Sequence, residues 1–188
     1  MKQRIFIVHR WDGSPDEYLY KYIEKELDKK GFDVHLLKMP SSSHPDIETW
    51  VGFLRQNSPH PTEHMHFIGH SIGCQTILRY IQTLPLGEKI GKVVLIAPWT
   101  RLQGIENEPE SKKIAKPWIE TPIDWSKIVN HTEKFVCIFS DNDYYVSLSE
   151  TELFKEELHA KIIIEKNKGH FTEDDGVKKL PSVIECFK

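Results

Sequence analysis

The sequence predicts an α/β fold, a doubly wound and mostly parallel sheet of about six strands flanked by helices. Short apolar segments rich in β-branched residues alternate along the chain with longer segments of helical periodicity. The first of them, residues 4–9, is apolar almost throughout, which is typical of a strand buried on both faces of a parallel sheet. Because no repeat, linker or low-complexity tract interrupts the alternation, residues 1–188 are predicted to form a single domain.

The elements of the first half follow from periodicity and from helix end signals. A helix is predicted over residues 16–30, with Gly31 as its C-terminal stop. Its inward face is predicted to hold Tyr18, Tyr22, Ile23 and Leu27. A second strand covers residues 33–37, and a second helix covers residues 45–56. The apolar side of that second helix is formed by Ile47, Val51 and Leu54.

The remaining strands are predicted from further apolar runs, at residues 64–68, 92–97, 134–140 and 161–165. A helix follows the third strand, and a closing helix begins at Pro181. In a parallel sheet with right-handed crossovers, the carboxyl ends of the strands lie at one edge. We therefore expect the functional loops to gather at that edge.

Composition and charge exclude several classes of protein. A net charge of -3 and a pI near 6.4 do not predict a nucleic-acid-binding face. The chain has 3 cysteines, and Cys74 and Cys137 lie in apolar elements, which favours reduced thiols in the cytoplasm over a disulfide framework. The apolar run before Arg10 is too short for a signal sequence, and no run is long enough to span a membrane.

The most informative motif is Gly69-His70-Ser71-Ile72-Gly73, which stands between a predicted strand and a predicted helix. Gly-x-Ser-x-Gly in that position is the nucleophile elbow, a tight turn whose glycines leave room for the neighbouring strand and helix. The helix after it places Ile77, Leu78 and Ile81 on one face. Ser71 is therefore predicted to be a nucleophile.

A serine nucleophile needs a histidine base and a carboxylate that orients it, in the chain order Ser, Asp or Glu, His. The strand at residues 134–140 is followed by Asp141 and Asp143, and the strand at residues 161–165 is followed by His170. All candidates thus lie in loops after strands and in the required order. We predict Asp143 as the acid, with Asp141 as its competitor.

These motifs resemble the triad segments of the small serine hydrolases of the YdeN and retinoblastoma-binding-protein-9 type. The matching segments are Gly69-His70-Ser71-Ile72-Gly73, Asp143-Tyr144-Tyr145-Val146 and Gly169-His170-Phe171. The resemblance runs almost from end to end and takes in Val8-His9, Met39-Pro40, Asp46 with Trp50, and Leu180-Pro181. It implies a minimal α/β-hydrolase fold and a catalytic triad of Ser71, Asp143 and His170.

The chain departs from the family pattern in two places. The Leu-x-Cys-x-Glu motif is absent around all the cysteines, so retinoblastoma binding is not expected and a protein partner stays unknown. Arg10 follows His9 where many α/β-hydrolases have glycine. The amide of Ile72 is predicted as the first oxyanion donor, and by the resemblance the second comes from Arg10 or Trp11.

The substrate pocket is predicted to include His9, His70 and Trp99. Trp99 opens a segment around residues 98–125 that is rich in proline and tryptophan and has patchy helical periodicity. This segment is either a short cap that lines an acyl pocket or an irregular crossover whose tryptophans fill the core. Arg10 either favours esters with a negative group or points to solvent.

Other clusters are assigned ordinary roles. His64, His66 and His70 do not converge, so no metal site is predicted. Cys74 is predicted to be a small buried group rather than an alternative nucleophile. Glu173, Asp174 and Asp175 are predicted to form a solvated turn.

The sequence thus predicts a serine hydrolase that cleaves carboxylic esters or related acyl compounds without metal or cofactor. Its substrate is expected to be a small acyl compound, turned over through an acyl-enzyme. Two alternatives stay open at this point. One is a protein-binding module on a hydrolase scaffold with weak or no turnover. The other is an amidase or aminopeptidase that uses the same triad.

Overall fold

The computed structural model describes residues 2–187, in which six parallel strands form one sheet of order β2-β1-β3-β4-β5-β6. The strands are β1 (Arg4–Val8), β2 (Asp33–Leu37), β3 (Met65–His70), β4 (Val93–Ile96), β5 (Phe135–Ser140) and β6 (Lys161–Glu165). The predicted α/β class and doubly wound sheet are confirmed, and the predicted bounds of β2 and β6 coincide with the observed ones.

The helices that connect these strands are α1 (Tyr18–Lys29), α2 (Ile47–Asn57), α3 (Ile72–Ile81), α4 (Pro109–Glu120), α5 (Trp125–Val129), α6 (Glu150–Leu158) and α7 (Pro181–Glu185). The sequence did not predict α5 or α6. α6 has acidic residues along most of its length and buries only Glu150, Phe154 and Leu158, so its apolar periodicity is weak. In the described residues, no helix has the length and apolar character that crossing a bilayer requires.

The core lies on both faces of the central strands. Every residue of β4 and β5 is buried, whereas Ile164 on the edge strand β6 is 52% exposed. Val8 pairs with Gly69, and His70 pairs with Ile96, so the ends of β1, β3 and β4 lie side by side. This register brings the loops after those strands to one edge of the sheet, where the predicted site residues are found.

The inward face of α1 differs from the prediction. Tyr18 is 59% exposed, and the ammonium of Lys178 lies 4.9 Å from the centre of its ring. Tyr20, which the sequence interpretation passed over, is fully buried beside Ile23 and Leu27. The correct stripe has the helical spacing of three and four residues from Tyr20 to Ile23 to Leu27.

The segment at residues 98–125 is more regular than its prolines suggested. Helix α4 begins at Pro109, where a missing amide hydrogen costs nothing because first-turn amides have no partner within the helix. Pro117 lies inside the helix but in its last turn. The buried side chains of Ala115 and Trp118 pack α4 onto the protein. Tertiary packing therefore overrides the unfavourable helix propensity of Pro117.

Candidate active site

Ser71 stands in the turn between β3 and α3, in the conformation that the elbow motif predicts. Its φ of 54° and ψ of -117° lie in a region that residues with a side chain rarely adopt. The turn is held by hydrogen bonds from the Ser71 amide to the Ile96 carbonyl, at 2.8 Å, and from the Cys74 amide to the Ser71 carbonyl, at 2.9 Å. The strain is thus fixed by neighbouring backbone, and the side chain reaches the carboxyl edge of the sheet.

The two motif glycines allow this turn to pack closely. A Cβ added to Gly69 would lie 2.8 Å from the Cys74 nitrogen, and one added to Gly73 would lie 2.8 Å from the His9 carbonyl oxygen. Both atoms belong to the backbone and cannot rotate away. The steric role that the sequence predicts for these glycines therefore has a direct counterpart in the fold.

We expect Gly73→Ala to lower the free energy of unfolding by about 1–3 kcal/mol, because the new methyl group overpacks the contact with β1. Gly52→Ala is the matched control, since Gly52 lies in α2 and nothing stands within 4 Å of its added Cβ. That control should gain about 0.5–1 kcal/mol from helix propensity. Chemical denaturation measures both changes, and a neutral Gly73→Ala would contradict the packing argument.

The structure brings Ser71, Asp143 and His170 together, although they come from three separate loops. His170 Nε2 lies 2.9 Å from Ser71 Oγ, and His170 Nδ1 lies 2.9 Å from Asp143 Oδ2. All three residues are buried. When His170 carries its proton on Nδ1 and donates it to Asp143, its Nε2 lone pair is free to accept the Ser71 hydroxyl proton.

Asp143 is held in place by its own loop. Its Oδ1 accepts hydrogen bonds from the amides of Tyr145, at 2.8 Å, and Val146, at 3.0 Å. The competing carboxylate, Asp141, is exposed and instead accepts from the Asn167 amide at 2.8 Å. Asp141 therefore braces the loop that leads to His170 and makes no hydrogen bond to the imidazole.

Asp175 corrects the prediction of a solvated turn after His170. Its Oδ2 accepts from the His170 amide at 2.9 Å, from the Thr172 amide at 3.0 Å and from the Thr172 hydroxyl at 2.7 Å. The side chain is half-buried, while Glu173 and Asp174 are exposed. Asp175 thus fixes the backbone on which His170 stands, a role that residue type and position did not reveal.

Ser71 and His170 open into a cavity of about 360 Å³. Its apolar wall includes Trp11, Trp99, Leu102, Ile105, Tyr144 and Tyr145. The indole nitrogen of Trp99 donates to Ser71 Oγ at 3.3 Å, so Trp99 touches the predicted nucleophile. Trp118 and Trp125 do not line this cavity. Within residues 98–125, the apolar residues that line the site are therefore Trp99, Leu102 and Ile105.

His9 and His70 do not line the cavity, contrary to the prediction that they belong to the substrate pocket. His9 donates from Nδ1 to the Arg10 carbonyl at 2.8 Å, and its Nε2 accepts from the Met39 amide at 3.1 Å. His70 is similarly engaged through both ring nitrogens, with Tyr20 and with the His170 carbonyl. Both rings are buried because their polar atoms have partners inside the protein.

Two of the three amides predicted as oxyanion donors, those of Ile72 and Trp11, donate to no acceptor among residues 2–187. Ile72 follows the nucleophile at the start of α3, and Trp11 lines the cavity. The Arg10 amide, the other predicted donor, already donates to the Tyr20 hydroxyl at 3.1 Å. Of the three predicted donors, Ile72 and Trp11 are therefore the ones whose amides are free.

The Arg10 side chain is occupied as well. Its Nε lies 3.3 Å from Glu17 Oε2, and its Nη1 donates to the Trp11 carbonyl at 3.1 Å. Glu17 is fixed in turn, because its other oxygen accepts from the Ser14 amide at 3.0 Å. Arg10 lines the cavity, but its charge is paired with Glu17 and its guanidinium is bound to the loop. This pairing does not favour the sequence interpretation in which Arg10 binds a negative group on the ester.

Residues 5–188 match the profile of the family described as serine hydrolase. The chain belongs to this serine hydrolase family. YdeN of Bacillus subtilis (strain 168) is 24% identical over 187 residues, which cover 100% of this chain and 95% of YdeN. The serine hydrolase RBBP9 of Rattus norvegicus is 26% identical over 153 residues, which cover 81% of this chain and 77% of RBBP9.

Solved structures agree on the fold. The crystal structure of the ydeN gene product from B. subtilis matches this serine hydrolase with a TM-score of 0.88 and 24% identity, covering 98% of this chain and 96% of that one. A carboxylesterase structure from Nitrososphaera gargenis matches with a TM-score of 0.67 and 15% identity, covering 90% and 84% of the two chains. The resemblance predicted from the sequence motifs is confirmed, and the chain is a hydrolase of the α/β-hydrolase fold.

Two further features concern the arrangement of potential metal ligands and the environment of the Cys74 thiol. Over residues 2–187, no group of three or more His, Cys, Asp and Glu side chains converges as a metal site would require. Cys74 is completely buried, and its Sγ donates to the Ile96 carbonyl at 3.2 Å. Burial raises the pKa of the Cys74 thiol well above its usual value, so the thiolate that a cysteine nucleophile needs is disfavoured.

Proposed function

We propose that this serine hydrolase cleaves small carboxylic esters, with Ser71 as nucleophile, His170 as general base and Asp143 as the acid that orients it. The observation that carries the proposal is the continuous hydrogen-bonded chain from Asp143 through His170 to Ser71, with 2.9 Å on both sides of the imidazole. Ser71 also lies on the wall of a cavity that can hold an acyl group.

In the proposed mechanism, His170 takes the hydroxyl proton as Ser71 attacks the ester carbonyl carbon. The negative oxygen of the tetrahedral intermediate is bound by the amides of Ile72 and Trp11, whose hydrogens have no acceptor among residues 2–187. His170 then protonates the leaving alkoxide, and an acyl-enzyme remains on Ser71. A water activated by His170 releases the acid. No step calls for a metal or cofactor.

Trp11 is preferred over Arg10 as the second oxyanion donor. The Arg10 amide already has an acceptor in Tyr20, and using it for the oxyanion would break that hydrogen bond. The Tyr20 hydroxyl is fully buried, so water could not replace the lost partner. A donor that costs no existing hydrogen bond stabilises the transition state more effectively, and Trp11 meets this condition.

The segment at residues 98–125 is proposed as a short cap within a single domain that spans the chain. Trp99, Leu102 and Ile105 supply apolar wall, and Glu108 and Ser111 from the start of α4 complete that side of the cavity. A reduced, cytoplasmic setting is proposed from the three unpaired cysteines, two of which are buried in the core.

Charges at the cavity suggest which esters are accepted. Asp12, Glu108 and Asp174 line it and are exposed, whereas the cation Arg10 is paired with Glu17. A substrate carboxylate would therefore meet more negative than free positive charge. We propose neutral acyl esters as the preferred class, because repulsion disfavours anionic ones.

Turnover of p-nitrophenyl acetate with an initial burst tests the proposed function, since a burst reports acyl-enzyme accumulation. In the same assay, kcat/KM for a neutral ester should exceed that for a carboxylate-bearing ester of equal length by roughly 1.4-fold to fivefold. This range follows from about 0.2–1 kcal/mol for an exposed charge pair. The ratio of the two kcat/KM values should fall as salt is added, because exposed charges are screened.

Glu108→Gln should reduce the ratio of kcat/KM between the neutral and the carboxylate-bearing ester. Arg10→Ala should not lower kcat/KM for the carboxylate-bearing ester more than for the neutral one. Glu110→Gln is the matched control, because Glu110 lies in the first turn of α4, two residues after Glu108, is exposed and does not line the cavity. A preference for the anionic ester that Arg10→Ala removes would overturn the substrate class. Absence of any ester turnover would count against the proposed function itself.

A further inference from the structure

A buried polar pair lies behind the catalytic groups, outside the cavity. Tyr20 is fully buried and His70 is 1% exposed, and the Tyr20 hydroxyl lies 2.8 Å from His70 Nδ1. Tyr20 comes from α1, and His70 is the last residue of β3, directly before Ser71. Neither residue takes part in the proposed chemistry. However, Tyr20 is hydrogen-bonded to the loop that holds the Trp11 donor, and His70 is hydrogen-bonded to the loop that holds His170.

The hydrogen bonds of this pair run in one direction. The Arg10 amide donates to the Tyr20 oxygen at 3.1 Å. At the far end, His70 Nε2 lies 2.9 Å from the His170 carbonyl oxygen, which can only accept, so Nε2 carries the proton. Nδ1 must then accept, and the Tyr20 hydroxyl donates to it. Every donor in the chain from Arg10 to His170 has one acceptor.

We propose that Tyr20 and His70 are positioning residues that hold the oxyanion loop and the His170 loop in register with Ser71. This inference rests on the proposed function, since it assigns these residues a role in the same reaction. Tyr20 fixes the amide next to the Trp11 donor, and His70 fixes the backbone of the base. His70 itself is fixed by β3, so the Tyr20–His70 pair links both loops to the strand that carries the nucleophile.

The neutral state that this arrangement needs is favoured by its surroundings. Burial, and then the nearby His170, lower the pKa of His70 well below its usual value. The two imidazole centres are 5.5 Å apart, so a neutral His70 also avoids repelling the imidazolium that His170 becomes during the reaction. Because the pair is buried, solvent cannot replace either partner when the other is removed.

Tyr20→Phe tests the link to the oxyanion loop. It removes the acceptor of the Arg10 amide and the donor to His70, so we expect kcat to fall by on the order of a hundredfold with little change in KM, the scale of a small misplacement of catalytic groups. Tyr80→Phe is the matched control. Tyr80 is 1% exposed, and its hydroxyl donates to the Ser58 carbonyl at 3.1 Å, away from the cavity.

The Tyr80→Phe control should lower Tm without lowering kcat. A Tyr20→Phe variant that behaves in the same way, less stable but with wild-type kcat, would overturn the proposal. A drop in kcat for Tyr20→Phe that is absent in Tyr80→Phe supports the proposal. Loss of a merely structural hydroxyl would lower Tm in both variants and leave kcat unchanged.

His70 variants test the link to the base. We expect His70→Ala to lower kcat on the order of a hundredfold, and His70→Gln to recover part of it, because its amide nitrogen can still donate to the His170 carbonyl. A His70→Gln variant with wild-type Tm that is as slow as His70→Ala would contradict this link. If His70→Ala does not fold, the kcat of the double variant with His70→Gln and Tyr20→Phe still tests whether the two residues position the catalytic groups.

The combined variant measures whether the two residues act together. Because both substitutions disturb the Tyr20–His70 hydrogen bond, their combined loss of kcat should be smaller than the product of the single losses. A multiplicative loss would contradict a linked pair. Ser71→Ala is assayed alongside: its full activity would refute the proposed function, whereas wild-type kcat in Tyr20→Phe with an inactive Ser71→Ala refutes the positioning role alone.

Discussion

Ser71→Ala is expected to abolish ester hydrolysis while the protein stays folded. Removing Oγ eliminates the atom that forms the acyl-enzyme, and losses on the scale of roughly 10⁶-fold in kcat are known for serine hydrolases with such a triad. His170→Ala should reduce turnover to a similar level, because both residues act in the same step. The double variant should therefore be about as slow as either single one, as steady-state assays can measure.

Matched controls separate the chemistry from the loss of a buried polar group. Ser58→Ala removes a buried hydroxyl that donates to the Leu54 carbonyl at 2.7 Å, at the end of α2. His131→Ala removes a buried imidazole that donates to the Glu88 carbonyl at 2.7 Å. Both controls should keep their turnover despite lower stability. Full activity in Ser71→Ala, with normal circular dichroism, would refute the assignment of the nucleophile.

Asp143→Asn is expected to lower kcat by about 10⁴-fold, the effect of the same change in a serine protease triad. An amide can donate to Nδ1, so it favours the tautomer with the proton on Nε2, where it blocks acceptance from Ser71. It also removes the negative charge that stabilises the imidazolium. Circular dichroism and the pH dependence of kcat would show whether the loss is catalytic.

Asp141→Asn provides the control for this prediction. Its side-chain oxygen can still accept from the Asn167 amide, which is the hydrogen bond that Asp141 makes at 2.8 Å. We therefore expect nearly wild-type turnover. If Asp141→Asn were the inactive variant and Asp143→Asn the active one, the acid would have been assigned to the wrong carboxylate.

The fold was predictable because the strands of a parallel sheet are buried on both faces. β5 and β4 are continuous apolar runs, and their signal does not depend on distant residues. The positions of Ser71, Asp143 and His170 in the chain were readable for a related reason. Each follows a strong strand, and parallel topology brings those chain positions to one edge of the sheet.

The supporting hydrogen bonds could not be read in the same way. Tyr20 and His70 are 50 residues apart, and nothing local indicates that a tyrosine hydroxyl and an imidazole meet. The spacing from Tyr20 to Ile23 and Leu27 indicates that Tyr20 faces inward. The sequence interpretation instead placed Tyr18 and Tyr22, two residues to either side, on the inward face. Arg10 and Glu17 are charged residues of the kind that usually face solvent, so their pairing beside the cavity was equally hidden.

Covalent labelling with a fluorophosphonate probe, followed by intact-mass measurement and peptide mapping, tests most directly whether Ser71 is the nucleophile. We expect about one probe per chain, attached to Ser71, with labelling slowed by a competing ester and absent in Ser71→Ala and His170→Ala. Folded wild-type protein that stays unlabelled, or that carries the probe on a residue other than Ser71, would contradict the assignment of Ser71 as the nucleophile.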